Sequence, residues 1–152
     1  MTIISKEARA ASYARPIFTS PALRFFALVA LCSAYIQGPL MKIYDFDGAI
    51  AEMNHVGLTP APLFAVGVIV FELLMSALIL LGIFRWAGAL CLAGFSLIAT
   101  FLAFRFWELP SGIERMMATN GFFEHLGLAG AFVLVAWHDL HERTVSGKVR
   151  VL

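Results

Sequence analysis

PLFAVGVIVFELLMSALILLGIF, running from Pro62 to Phe84, decides how the rest of the chain is read. Its side chains are almost all apolar, and its one charge, Glu72, sits near the middle. At about 1.5 Å of rise per residue the stretch can cross a hydrocarbon core of about 30 Å, which makes it a transmembrane helix. A central carboxylate costs insertion about 2.5 to 3.5 kcal/mol, whereas each Leu, Ile, Val or Phe returns about 0.3 to 0.6 kcal/mol. The apolar residues outweigh the one charge, so Glu72 can be kept for packing, pairing or chemistry. An ionisable group at that depth marks a candidate site.

Composition points the same way. Of 152 residues, 61% are hydrophobic and 14% charged, against about 45–50% and about 25% in soluble domains. The formal net charge of +1 makes no case for nucleic acid as a partner. Cys32 and Cys91 lie in apolar stretches with no CxxC, so neither a disulfide framework nor a zinc site is indicated. They read as two buried thiols, with a redox pair as the functional alternative. Residues 1–22 carry Lys6, Arg9 and Arg15 without an apolar run before Pro21, and read as an uncleaved cytoplasmic tail.

The first span is expected over Leu23 to Met41, between Arg24 and Lys42. Pro39 near its end would either bend the last turn, freeing the Tyr35 carbonyl, or stop the helix. From Ile43 to Ala61 the chain turns polar, yet Phe46, Ile50, Met53 and Gly57 recur at helical spacing opposite Asp47, Glu52 and His55. With Asp45 as N-cap and Gly57 as C-cap, Phe46 to Val56 reads as a short amphipathic helix on the membrane interface. After the Glu72 span, Gly82 to Arg85 is a tight hairpin into a third span, Trp86 to Trp107, with the two tryptophans as interface anchors. Ala89, Ala93, Ser96 and Thr100 give that span a small-residue face for close helix contact. Leu109 to Thr119 reads as a loop and Asn120 to Trp137 as a fourth span. The fold class is thus all-α, an integral membrane four-helix bundle over residues 23–140, with a C-terminal tail over 141–152.

Orientation follows from the cations. With the N-terminus inside, every Lys and Arg except Lys42, Arg105 and Arg115 falls on the inner side, which predicts both termini cytoplasmic. This topology stacks Gln37, Lys42, Glu72, Arg105, Glu124 and His125 in the outer half of the bundle. They suggest an outward-opening polar cavity with Glu72 at its floor. The structural alternative is mutual pairing, Lys42 with Glu72 and Arg105 with Glu124. His138-Asp139-Leu140-His141-Glu142 has two histidines at metal-compatible spacing, but a solvated helix end is the better reading, and no metal ligand set is assigned.

Gly38-Pro39-Leu40-Met41-Lys42, then Phe71-Glu72-Leu73-Leu74 with Leu81-Gly82 and Arg85, then Phe122-Phe123-Glu124-His125-Leu126-Gly127-Leu128-Ala129-Gly130, together resemble the DoxX family of small four-helix bacterial membrane proteins. The resemblance covers Leu23 to Trp137. It implies a bundle in the bacterial cytoplasmic (inner) membrane, and relatives include subunits of thiosulfate:quinone oxidoreductase and companions of thiol- and superoxide-handling enzymes. The chain departs from the family at Phe104-Arg105, where a histidine is common, and at Glu124-His125, where lysine-asparagine is common.

Three functions compete. The leading one is a quinone-linked redox subunit, with Lys42 or His125 bonding a quinone carbonyl and Glu72 relaying the proton. Electrons would come from a protein partner, since the sequence carries no haem, iron–sulfur or flavin signature. The second is a non-catalytic membrane anchor or assembly factor for partner proteins, and the third a small-solute or proton transporter. Homodimerisation is compatible with each.

Overall fold

The computed structural model describes residues 3–149, with side chains over 7–145. The side chains of Lys6 and Lys148, and Arg150 altogether, therefore lie outside the described residues. Helices α1 (Ile3–Phe18), α2 (Pro21–Cys32), α3 (Ala34–Tyr44), α4 (Phe46–His55), α5 (Ala61–Leu81), α6 (Arg85–Ala103) and α7 (Ile113–Val149) follow one another, with a 3₁₀ turn at Phe106–Glu108. No strand occurs among the described residues. Ala61–Leu81, Arg85–Glu108 and Ile113–Val145 are long and apolar enough to cross a membrane. A fourth candidate is the pair Glu7–Phe18 and Pro21–Cys32, bent by 74°.

The first apolar segment departs most from its sequence pattern. The N-terminal stretch read as a tail is helical as α1, and Ser20 then caps α2 by accepting a hydrogen bond from the Leu23 amide. Pro39 neither stops the helix nor marks its break, for α3 runs on to Tyr44. The interruption lies at Ser33, whose hydroxyl and amide both donate to the Ala30 carbonyl, at 2.7 and 3.3 Å. Ser33 keeps helical dihedrals of φ −57° and ψ −38°, so the defect is in the hydrogen-bond ladder. A serine that bonds back onto its own turn competes with that ladder.

Helix α4 forms where the spacing predicts, capped by Asp45, which accepts from the Gly48 amide at 2.9 Å. Gly57 follows it at φ +78°, the left-handed conformation that ends a helix. The helix folds back along α5 and buries Ala49 and Met53 against Ala61 and Ala65. Leu81 ends α5 because Gly82 turns left-handed, and Phe84 repeats that turn at φ +48° before α6 begins. Gly88 lets the two helices touch: a Cβ there would stand 3.0 Å from the Met75 carbonyl oxygen.

The third candidate span, Arg85–Glu108, agrees with the expected Trp86 to Trp107, whereas the fourth, Ile113–Val145, extends beyond Asn120 to Trp137 at both ends. Helix α6 stops at Ala103, short of the expected Trp107, because Phe106 and Trp107 turn aside to pack edge-on against Phe122 at 5.4 and 6.0 Å. Only Leu109 to Gly112 remains a connection, and α7 absorbs the rest of the expected loop. Between Gly112 and Gly121 there is no proline or glycine, and Met116, Met117 and Ala118 favour helix. The predicted small-residue face of α6 is buried throughout: Ala89, Ala93, Ser96 and Thr100 lie at the contact with α5, α7 and α3.

One apolar core joins the long helices, with Leu28 and Cys32 from α2, Tyr35 from α3, Ile79 from α5, Leu92 from α6 and Phe132 from α7. At its α5–α6 hairpin end the core is closed by a polar staple. The Arg85 Nε donates to the Ile79 carbonyl at 2.9 Å, which caps α5 with a cation at its negative end. The same guanidinium lies 3.6 Å from Asp139, a carboxylate of 4% exposure that Arg143 also holds at 2.8 Å. Asp139→Ala should cost about 3–5 kcal/mol, because it strands the largely buried Arg85. Arg24→Gln, which opens an exposed pair with Glu142, should cost less than about 1 kcal/mol. Thermal unfolding in detergent distinguishes the two, and equal losses would contradict this account of the staple.

Candidate functional site

Glu72 occupies the middle of α5, where the helix is flanked by α3, α4 and α6. Its residue exposure is 9%, and its Oε2 has no hydrogen-bond partner. Ser76, one turn further on the same face, is 1% exposed and its Oγ likewise lacks a partner. These are the two side-chain polar atoms so placed among the described residues. An orphaned buried acceptor or hydroxyl carries its full desolvation cost, about 1–3 kcal/mol. A carboxyl left in that condition is poised for a partner the chain does not itself provide.

The carboxyl faces a cavity of about 430 Å³. Tyr35, Gly38 and Lys42 of α3 form one wall, and Glu52 of α4 with Phe64 and Val68 of α5 form another. Phe95 and Ser96 of α6, Phe104 and His125 complete it. Gly38 lies against the floor, where a Cβ would stand 4.0 Å from the Glu72 Oε2, at ordinary contact distance. Tyr35 and Ser96 join their hydroxyls across the α3–α6 contact, and Ser96 in turn donates to the Leu92 carbonyl at 2.6 Å. The cavity is therefore mostly apolar, with a few fixed polar groups, as sites for small organic ligands are.

Of the residues singled out by sequence, Lys42, Glu72 and His125 meet here. Lys42 does not pair with Glu72. Its Nζ instead bonds Glu52 at 2.8 Å, because α4 folds back over α3 and brings that carboxylate to it. One such bond leaves two of the three ammonium donors unspent. His125 sets its Nδ1 2.9 Å from the Gly121 carbonyl and packs on Phe104 at 4.8 Å with the rings tilted by 49°. With Nδ1 as the donor, Nε2 remains for a ligand. Gly121 permits this contact, as a Cβ would stand 2.6 Å from the Phe104 ring.

Gln37, Arg105 and Glu124 are exposed and lie outside the cavity. Arg105 lies just past the end of α6, and it binds Glu108 at 3.2 Å rather than Glu124. Glu52 is the charged wall residue that sequence reasoning missed, having placed it on the polar face of an interfacial helix. Ser76 was missed as well, although its spacing of four from Glu72 is visible in the chain.

The weaker candidates separate. Cys32 is buried in the core while Cys91 is exposed, and both are free thiols. His138 reaches Glu142 at 3.6 Å, His141 stacks on Trp137 at 5.2 Å, and Asp139 turns inward to the arginines. Among the described residues no group of three His, Cys, Asp or Glu side chains converges as metal ligands.

Long apolar helices around a buried carboxyl define a polytopic helical membrane protein. More than half of it, residues 23–105, matches the DoxX family model, and the chain belongs to the DoxX family. The matched segment takes in Lys42, Glu72 and Arg85 and ends before Glu124-His125. No curated protein and no solved structure matched the chain.

Because the Glu72 Oε2 has no partner to lose, an apolar side chain of similar volume should relieve the chain of an unpaired polar group. Glu72→Met is expected to stabilise the protein by about 1–3 kcal/mol in thermal unfolding. A net loss of stability would show instead that Glu72 is held by structural pairing.

Proposed function

We propose that this protein is a quinone-linked subunit of a membrane redox system, in which the Glu72 cavity takes the quinone headgroup. The observation that carries the reading is the unpartnered Glu72 Oε2 at the floor of an otherwise apolar cavity. A quinone presents an apolar ring with oxygens on opposite sides, and the residues present fit that pattern. The ring suits walls made by Phe64, Val68 and Phe95. One oxygen suits Glu72, and the other suits the spare donors of Lys42 or the Nε2 of His125.

A bound quinone supplies the capacity to take up two electrons and two protons. The chain's part is to orient the headgroup and to hold a proton at the Glu72 carboxyl. Electrons come from a partner protein. In this reading α2 with α3, α5, α6 and α7 form a four-helix bundle in the bacterial inner membrane. The excess of Lys and Arg at the hairpin end supports a cytoplasmic side for that end and both termini in this reading. The Glu72 cavity then opens toward the outer face.

The test is extraction of the full chain, purified in mild detergent, followed by chromatographic assay of bound quinone. Near-stoichiometric quinone is expected in the wild type, with a loss of about tenfold or more in Glu72→Gln and Lys42→Met, the scale of one charge-assisted hydrogen bond. Folded wild-type protein that carries no quinone, or variants that retain it fully, would overturn the assignment.

A further inference from the structure

A second and larger cavity, of about 570 Å³, lies at the other end of α5, beside Arg85. Its apolar floor is built by Leu28 and Leu31 of α2 and Leu134 of α7, and its rim by Arg24, Arg85, His138 and Glu142. The chain turns out of its long helices here, at the α5–α6 hairpin and at the 74° bend between α1 and α2. The cleft thus pairs a hydrocarbon-like floor with a basic rim at the level where apolar helices end.

We propose that this cleft binds an anionic phospholipid, with the phosphate against Arg24 and an acyl chain along Leu28, Leu31 and Leu134. Basic pockets between transmembrane helices are suited to such headgroups. Arg24 is held by Glu142 at 3.1 and 2.9 Å, but both side chains are partly exposed and the pair is weak. A guanidinium has five donors, so Arg24 can accept a phosphate beside or in place of that carboxylate. Arg9 and Arg15, exposed on α1, add positive potential on the segment leading to the cleft. Inorganic phosphate would gain from the rim alone, whereas a lipid also covers the apolar floor. Glu72 and Lys42 border the other cavity, so this site stands apart from the quinone reading.

Native mass spectrometry of the full chain in mild detergent tests the proposal, with phosphatidylglycerol, phosphatidylcholine or inorganic phosphate added. Phosphatidylglycerol should be retained over phosphatidylcholine. Arg24→Gln should weaken retention about fivefold, the worth of one cation near an anionic lipid surface. Glu142→Gln, which removes the competing carboxylate, should strengthen it. Thermal unfolding establishes that each variant is folded, and should Arg24→Gln fail to fold, Glu142→Gln decides. Equal retention of the two lipids, displacement of phosphatidylglycerol by an equal concentration of inorganic phosphate, or a folded Glu142→Gln variant indistinguishable from wild type would each overturn it.

Discussion

The Arg85 guanidinium is the contact on which the arrangement of the long helices depends. It caps the last turn of α5 through the Ile79 carbonyl while reaching Asp139 on α7. The hairpin sets α5 against α6, and α7 packs along α6 with Phe122 held by Phe106 and Trp107. A charged pair in an apolar setting holds this packing in register, because moving either partner leaves the other exposed to hydrocarbon. The staple therefore fixes the depth of α7 relative to the hairpin. At the opposite end, the depth of α7 decides where His125 meets Phe104.

What could be seen in the sequence was whatever depends on local pattern. The Glu72 helix, the Asp45 cap, the Gly82 turn and the buried face Ala89-Ala93-Ser96-Thr100 all follow from apolar period, capping chemistry or small-residue spacing, and all appear in the structure. The points where the pattern misled differ in cause. Ser33 is set by a competing local bond and Phe104 by a partner distant in the chain, while the early start of α7 reflects the helix-favouring run Met116 to Ala118 that the loop reading passed over. Phe106 and Trp107 are gathered onto Phe122 of α7, a contact the linear pattern does not display.

The candidate site was legible in part for the same reason. Glu72 and Lys42 stand out because charges in or beside apolar runs are costly, and His125 stands out at the head of one. That Glu52 rather than Glu72 receives Lys42 depends on α4 doubling back on α5, a turn with no signature beyond Asp45 and Gly57. Asp139 looked like part of a solvated helix end because its neighbours His138, His141 and Glu142 are polar, whereas it alone among them points into the bundle.

The ladder defect at Ser33 falls between the two cavities. Residues Leu23 to Leu31 of α2 border one, and Ala34 to Lys42 of α3 border the other. A helix with an intact ladder is a stiff rod, and a ligand that pushed on one half would tilt the other. With the ladder interrupted at Ser33, α2 can yield to an occupant of its cleft while α3 stays seated on α6 through Tyr35 and Ser96. The two sites are thereby insulated mechanically although they share one length of chain, and filling either need not deform the other.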